Sequence, residues 1–238
     1  MKLYYFLILL IFSCVNICLS TTDLIYTPNS ETVNYLSSEM TFRFYSNGGV
    51  LSVIKFGVFQ KLNLGFSLDI DKLIGKNDPE IRVPNINVKY RLYDGSEKLP
   101  SITIGYDGQG YNFDTSSNTY SYKEKGIFFV LSKEILFSGF IFNFGSNVNF
   151  TKENNKDKTS TFGFLGINYT IQDNEKNLCG IILEYDAITN IKEQSILNTA
   201  LRFFPTSNLT VDLCFKDILS KYNLSKERIL KVTYQGKF

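Results

Sequence analysis

The chain contains no histidine and no tryptophan, and only two of its residues are methionine. Without histidine, Ser-His-Asp and Cys-His nucleophilic sites each lose a required member, as do ordinary His-bearing zinc sites. An enzyme is therefore not expected, and no cofactor is implied. A basic excess is also missing: 25 Lys and Arg face 23 Asp and Glu, which leaves no footprint for nucleic acid. Cysteine is scarce, with two of the four inside the first twenty residues. The other two, Cys179 and Cys214, fall on non-adjacent expected strands and on opposite faces, so free thiols are expected. Beyond the N-terminus no apolar run approaches the ~18 residues that a helical span requires. That excludes helical membrane spans. It does not exclude a closed barrel, which satisfies its backbone between strands.

What is present begins with MKLYYFLILLIFSCVNICLS. Lys2 is a charged start, 3–19 an apolar run, and Cys18 and Ser20 are small residues suited to cleavage after Ser20. Residues 1–20 read as a secretory signal peptide; an uncleaved anchor, or a lipoprotein cut before Cys14 or Cys18, are the alternatives. Residues 21–39 are polar and carry Pro28, and are read as a periplasmic lead-in. Residues 40–238 remain for one all-β domain.

The stretch 62–70, LNLGFSLDI, sets the pattern. Leu62, Leu64, Phe66, Leu68 and Ile70 alternate with Asn63, Gly65, Ser67 and Asp69. Successive strand side chains point to opposite faces, so one face is oily and one wet. The pattern, or an apolar run of strand length, recurs at 40–46, 50–58, 86–92, 101–107, 126–132, 140–150, 161–170, 178–186, 197–203, 209–215 and 227–238. Segments 50–58 and 126–132 are apolar on both faces, and their phase is open. The connections alternate too. Those at 47–49, 71–85, 108–125, 151–160, 187–196 and 216–226 face those at 59–61, 93–100, 133–139, 171–177 and 204–208; all but the first of the former set are longer than every one of the latter. Long loops on one side and short turns on the other are the habit of outer-membrane barrels. The expected fold is an all-β, antiparallel, up-and-down transmembrane β-barrel of about twelve strands, within a range of about ten to fourteen.

In such a barrel the wet face lines the lumen. The candidate lumen residues are Arg43, Lys55, Asp69, Lys89, Arg91, Glu184, Arg202, Asp212 and Lys231. Arg43, Lys89, Arg91 and Arg202 could form an electropositive wall, or could pair with Asp69, Glu184 and Asp212 and merely fill the interior. A soluble β-sandwich would turn the same residues out to water and bury the Phe and Leu set. Asp69, Asp71, Asp78 and Glu80 match no calcium-loop spacing and read as ordinary loop charge. The chain ends RILKVTYQGKF, with Leu230, Val232, Tyr234, Gly236 and Phe238 in one phase. This ending resembles the carboxyl-terminal signature of bacterial outer-membrane barrels, which implies recognition of the last strand by the barrel-assembly machinery.

Several motifs extend the resemblance. They are Phe42-Arg43-Phe44-Tyr45 followed by Gly48-Gly49-Val50-Leu51, then Leu73-Ile74-Gly75, Tyr93-Asp94-Gly95, Leu99-Pro100, Ile104-Gly105-Tyr106-Asp107-Gly108-Gln109-Gly110-Tyr111 and Leu183-Glu184-Tyr185-Asp186. Together they resemble a family of uncharacterised bacterial outer-membrane β-barrel proteins and, more distantly, YjbH-type proteins associated with exopolysaccharide export. The resemblance implies outer-membrane lipid as surroundings and a polar solute or polysaccharide as cargo. It implies no reaction and no catalytic residue. A narrow pore or export component is the expected function. A plugged structural or surface-interaction barrel is the alternative, and a secreted soluble β-barrel or sandwich the third.

Overall fold

The computed structural model describes residues 23–153, 156–173, 176–188, 196–219 and 226–238, without the side chains of 151–158. The expected signal peptide, 1–20, lies outside the described residues. The strands are β1 (Ser37–Tyr45), β2 (Gly49–Phe59), β3 (Leu62–Asp71), β4 (Glu80–Ile81), β5 (Asn85–Tyr93), β6 (Ser101–Asp107), β7 (Tyr111–Asp114), β8 (Thr119–Tyr122), β9 (Gly126–Glu134), β10 (Phe140–Glu153), β11 (Lys156–Asp173), β12 (Lys176–Asp186), β13 (Ile196–Thr206), β14 (Leu209–Lys216) and β15 (Glu227–Lys237). Each of the twelve expected segments is a strand.

Twelve of these strands form a ring. The order runs β1, β2, β3, β5, β6 and then β9 through β15, with β15 returning to β1. Every neighbouring pair is antiparallel, and the seam runs from Ser37↔Lys237 to Phe44↔Leu230. Closure leaves no sheet edge, so backbone groups need no water along the wall. The short β4 pairs only with the end of β3, and β7 and β8 form a separate hairpin.

The oily face points outward. Phe42, Phe66, Tyr90, Ile104, Phe129, Phe144, Ile181, Leu201, Leu213 and Leu230 are all exposed, one from nearly every strand of the ring. Between them Thr41, Asn63, Thr103, Asn143, Asn168, Glu184, Arg202, Asp212 and Lys231 are buried. A soluble monomer does not expose so continuous an apolar belt. The arrangement suits hydrocarbon outside and a polar interior. The sandwich alternative, with phenylalanine inside and charge outside, is inverted relative to this wall.

Two details differ from the sequence reading. The loop at 151–160 is absent as such: β10 and β11 stay paired out to Glu153↔Lys156. The stretch TKENNKDKTS is polar on both faces, so it lost the alternation that marks a half-buried strand while keeping its ladder. The loop at 108–125 is not open either, because β7 and β8 pair within it from Tyr111↔Tyr122 to Asp114↔Thr119.

The doubly apolar segment 126–132 now has a phase. Phe128 and Val130 face in with Phe164, and Ile127 and Phe129 face out. The inward rings fit because small residues oppose them. A Cβ at Gly145 would lie 2.3 Å from the Phe164 ring, and one at Gly105 2.3 Å from that of Phe128. This arc of wall carries its own apolar inner layer, which is why both faces of the sequence look oily.

Candidate functional site

The lumen is occupied by the chain itself. Residues 21–39 were expected to lie outside the barrel; instead the described part, from Asp23, enters the lumen before β1 begins at Ser37. Leu24 and Ile25 are buried against wall residues Leu51, Ile182, Ala200, Cys214 and Ile229. The segment DLIYTPNSE shows neither a period of two nor of 3.6, so nothing local marked it as a plug.

Its polar contacts run to wall side chains. The Asp23 carboxylate bonds Lys55 and lies 3.6 Å from Lys89 Nζ. Arg202 Nη2 donates to the Asp23 carbonyl, and Lys231 Nζ donates to that of Leu24 at 2.8 Å. Arg43 Nη2 donates to the Ile25 carbonyl at 2.6 Å. Glu184 Oε2 accepts from Tyr26 N at 2.8 Å and from both the amide and hydroxyl of Thr27 at 3.0 Å. Lower in the lumen, Lys89 Nζ reaches the Glu31 carbonyl at 2.9 Å and Asn29 Oδ1 at 3.1 Å. The Ser30 carbonyl accepts from Arg91 Nε and Thr103 Oγ1, each at 2.9 Å. Seven of the nine candidate residues thus bond the segment. Asp212 stands one step behind, holding Arg202 through two bonds of 2.7 and 2.8 Å and lying 3.5 Å from Lys231. Asp69 lies apart, at the long-loop end, accepting from Tyr45 OH at 2.7 Å beside Asp71.

The β7–β8 hairpin folds in from that same end. The Tyr111 ring stacks on Tyr122 with centroids 4.7 Å apart and approaches Tyr45 at 5.0 Å and Tyr26 at 5.8 Å. Lys216 Nζ donates to Tyr111 OH at 2.8 Å and lies 3.2 Å from the Tyr122 ring centroid and 4.0 Å from that of Tyr26. An ammonium over aromatic faces is attracted by their quadrupoles, more strongly where water is excluded. Tyr26 also bonds the Lys123 carbonyl. Segment and hairpin therefore meet at Tyr26. Sequence reasoning missed Tyr26, Tyr111, Tyr122, Lys125, Asp186 and Lys216. Phase alone could have placed Asp186 and Lys216 inside, since Asp186 continues the inward row of Glu184 and Lys216 that of Asp212 and Cys214. Two cavities are left empty: one of about 120 Å³ between the segment and the β1–β2–β3–β5–β6 wall, touched by Arg43, Lys55, Lys89, Lys231, Asp23 and Asp107, and one of about 100 Å³ beside Tyr26, Tyr122, Lys125 and Asp186.

Glu124, just after the hairpin, accepts from Phe150 N at 3.1 Å. Burial pushes its pKa above the usual carboxylate range, against that amide and the Lys123 charge. The folded chain holds this proton more tightly than the unfolded chain does. Glu124 therefore weakens the fold above its folded-state pKa, and the penalty disappears as pH falls below it. Glu124→Gln should raise the thermal midpoint at neutral pH and give no gain in acid. A gain that persists equally in acid would show that burial of charge is not its cause.

No protein-family profile matches this sequence, and no curated protein matches it. Similar solved structures are distant. One, from a study of in-meso crystallization of membrane proteins, shares 10% identity over 85% of this chain and 84% of its own, at a TM-score of 0.46. The NanC porin shares 8% over 84% of this chain and 99% of its own, at 0.46. Salmonella typhi OmpF shares 11% over 84% and 96%, at 0.31. The closed barrel described above stands on this chain's own strand pairing, and the YjbH-type likeness on the motifs alone.

Proposed function

We propose that this chain is a bacterial outer-membrane β-barrel that is closed at rest by its own N-terminal segment, with the β7–β8 hairpin as a second obstruction at the long-loop end. The observation that carries this reading is the seam of bonds between residues 23–31 and wall side chains on eight strands, β9 among them through Ser30 N to Ser132 Oγ at 3.0 Å. The outward apolar belt supports the membrane setting, and the run of long connections at one end supports that end as the outer one. The last strand, β15, followed by the exposed Phe238, is where the barrel-assembly machinery would act. No enzymatic step belongs to this reading. Export of a solute or polysaccharide would require the segment to leave first, because a cavity of about 120 Å³ admits only a few non-hydrogen atoms.

The test is a planar-bilayer recording of the full-length barrel, checked beforehand for detergent dependence and heat-modifiable migration. Silence, apart from brief openings, is expected. A steady ion current from the unsubstituted chain would refute closure at rest. Recovery in the soluble fraction without detergent would refute the membrane setting.

A further inference from the structure

The geometry points to a conditional activity: when the N-terminal segment is withdrawn, the lumen becomes a passage for small organic and inorganic anions. The inference rests on closure at rest, described above, and goes beyond it.

Withdrawal is open to the segment because it is not part of the wall. All twelve strands of the ring are paired on both sides without it. Its exit uncovers no sheet edge and breaks no ladder bond. Apart from Tyr26 OH to the Lys123 carbonyl, each bond described above has a wall side chain on one side, and water or ions can replace such a bond. Leu24 and Ile25 give up apolar contacts, and these set the threshold for opening.

The class of solute follows from what the segment presents to the wall. Six cationic side chains bond it: Arg43, Lys55, Lys89, Arg91, Arg202 and Lys231. They reach the carbonyl oxygens of residues 23, 24, 25, 30 and 31 and the Asp23 carboxylate. A row of partly negative oxygens is thus held where anion oxygens would sit. Four carboxylates, Glu39, Asp107, Glu184 and Asp212, accompany them on the wall. Removing the segment takes Asp23 with it and leaves cations in excess. The acceptors of Lys89 are Asn29, Glu31 and Asp23, all on the segment. Among the described residues, Arg43 has only the Ile25 carbonyl as hydrogen-bond acceptor, and its Nε is buried without one. These two would be left unmatched and line the existing cavity. Unpaired cations in a narrow lumen favour anions by electrostatics at close range. Of the acids at the long-loop end, Asp71 is held by Arg82 and Asp186 by Lys125, while Asp69 accepts from Tyr45 OH and Glu227 from Ser46.

The experiment releases the segment while leaving the wall unchanged. In the full chain, Asp23→Lys places an ammonium among Lys55, Lys89 and Lys231, and Thr27→Pro removes the two donors that Thr27 gives to Glu184. A second pair, Ser30→Cys with Ser101→Cys, locks the segment, since the two hydroxyl oxygens lie 2.5 Å apart. Under a KCl gradient the D23K/T27P barrel should pass steady current with chloride preferred over potassium by about threefold or more. Oxidation of the added cysteines should silence it and reduction restore it. Adding Lys89→Gln and Arg43→Gln should lower the preference without closing the passage. If D23K/T27P does not fold, as judged by heat-modifiable migration, Asp23→Asn alone is used and the frequency of openings is read. Silence from a folded, unlocked variant overturns conduction by withdrawal and leaves closure at rest standing. Current that is unselective, cation-selective or insensitive to Arg43 and Lys89 overturns the assignment to anions.

Discussion

Replacing Leu201 by arginine should destabilise the barrel by about 2–4 kcal/mol in lipid vesicles, the cost of a cation on the lipid face near mid-bilayer. Leu201 is the middle residue of β13 and is exposed. Its neighbours across the ladder, Ile181 and Leu213, are exposed and apolar as well. Neither side chain accepts a hydrogen bond, so the guanidinium must reach beyond them, toward a headgroup, or remain unsolvated. Were this face in contact with water, the same change would fall within about half a kcal/mol, as surface substitutions do. Reversible urea unfolding of the parent and L201R in vesicles separates the two by more than a kcal/mol. A change near zero would remove the hydrocarbon contact on which the membrane setting depends.

The second large effect belongs to the inside of the wall. Asp212→Ala should cost about 3–5 kcal/mol, the range for breaking a buried ion pair by deleting one partner. Asp212 and Arg202 are each only 1% exposed. The carboxylate takes two bonds from the Arg202 guanidinium and lies near Lys231. Its removal leaves two cations inside the lumen with the carbonyls of residues 23 and 24 as their acceptors. The pair itself is worth less than its rupture, because both ions were taken from water. Arg202→Met combined with Asp212→Leu should therefore be less destabilising than D212A alone. Unfolding midpoints of Arg202→Met, Asp212→Leu, the double variant and D212A decide it. If the double change costs as much as the sum of its parts, the two side chains act independently and the bonded pair is not what holds this level of the lumen.

How much of this could be read from residues in order depends on the range of each feature. The strand faces were legible because alternation is a property of neighbours. LNLGFSLDI at 62–70 became β3 with Asn63, Ser67 and Asp69 buried and Phe66 exposed. The ion pair of Arg202 and Asp212 was legible only in part. Phase put both inside, but it took the register, Arg202↔Asp212 and Asp212↔Lys231, to make them partners. The hairpin within 108–125 escaped because its residues bury against rings far away in sequence, not against one another's periodic face. The N-terminal segment escaped most completely. Tyr26 and Glu184 are 158 positions apart, and Leu24 and Lys231 are 207 apart.

By itself, then, the order of residues determined the approximate number of strands in the ring, the two faces of most of them and the presence of both signs of charge along the inner one, since each follows from side chains that lie next to one another. Whether that inner face meets water or protein was decided only when the ring closed. Closure brings arginines, lysines and a glutamate from opposite arcs to one axis, where a short irregular segment can satisfy them all, and no local pattern encodes a fit to partners so far apart.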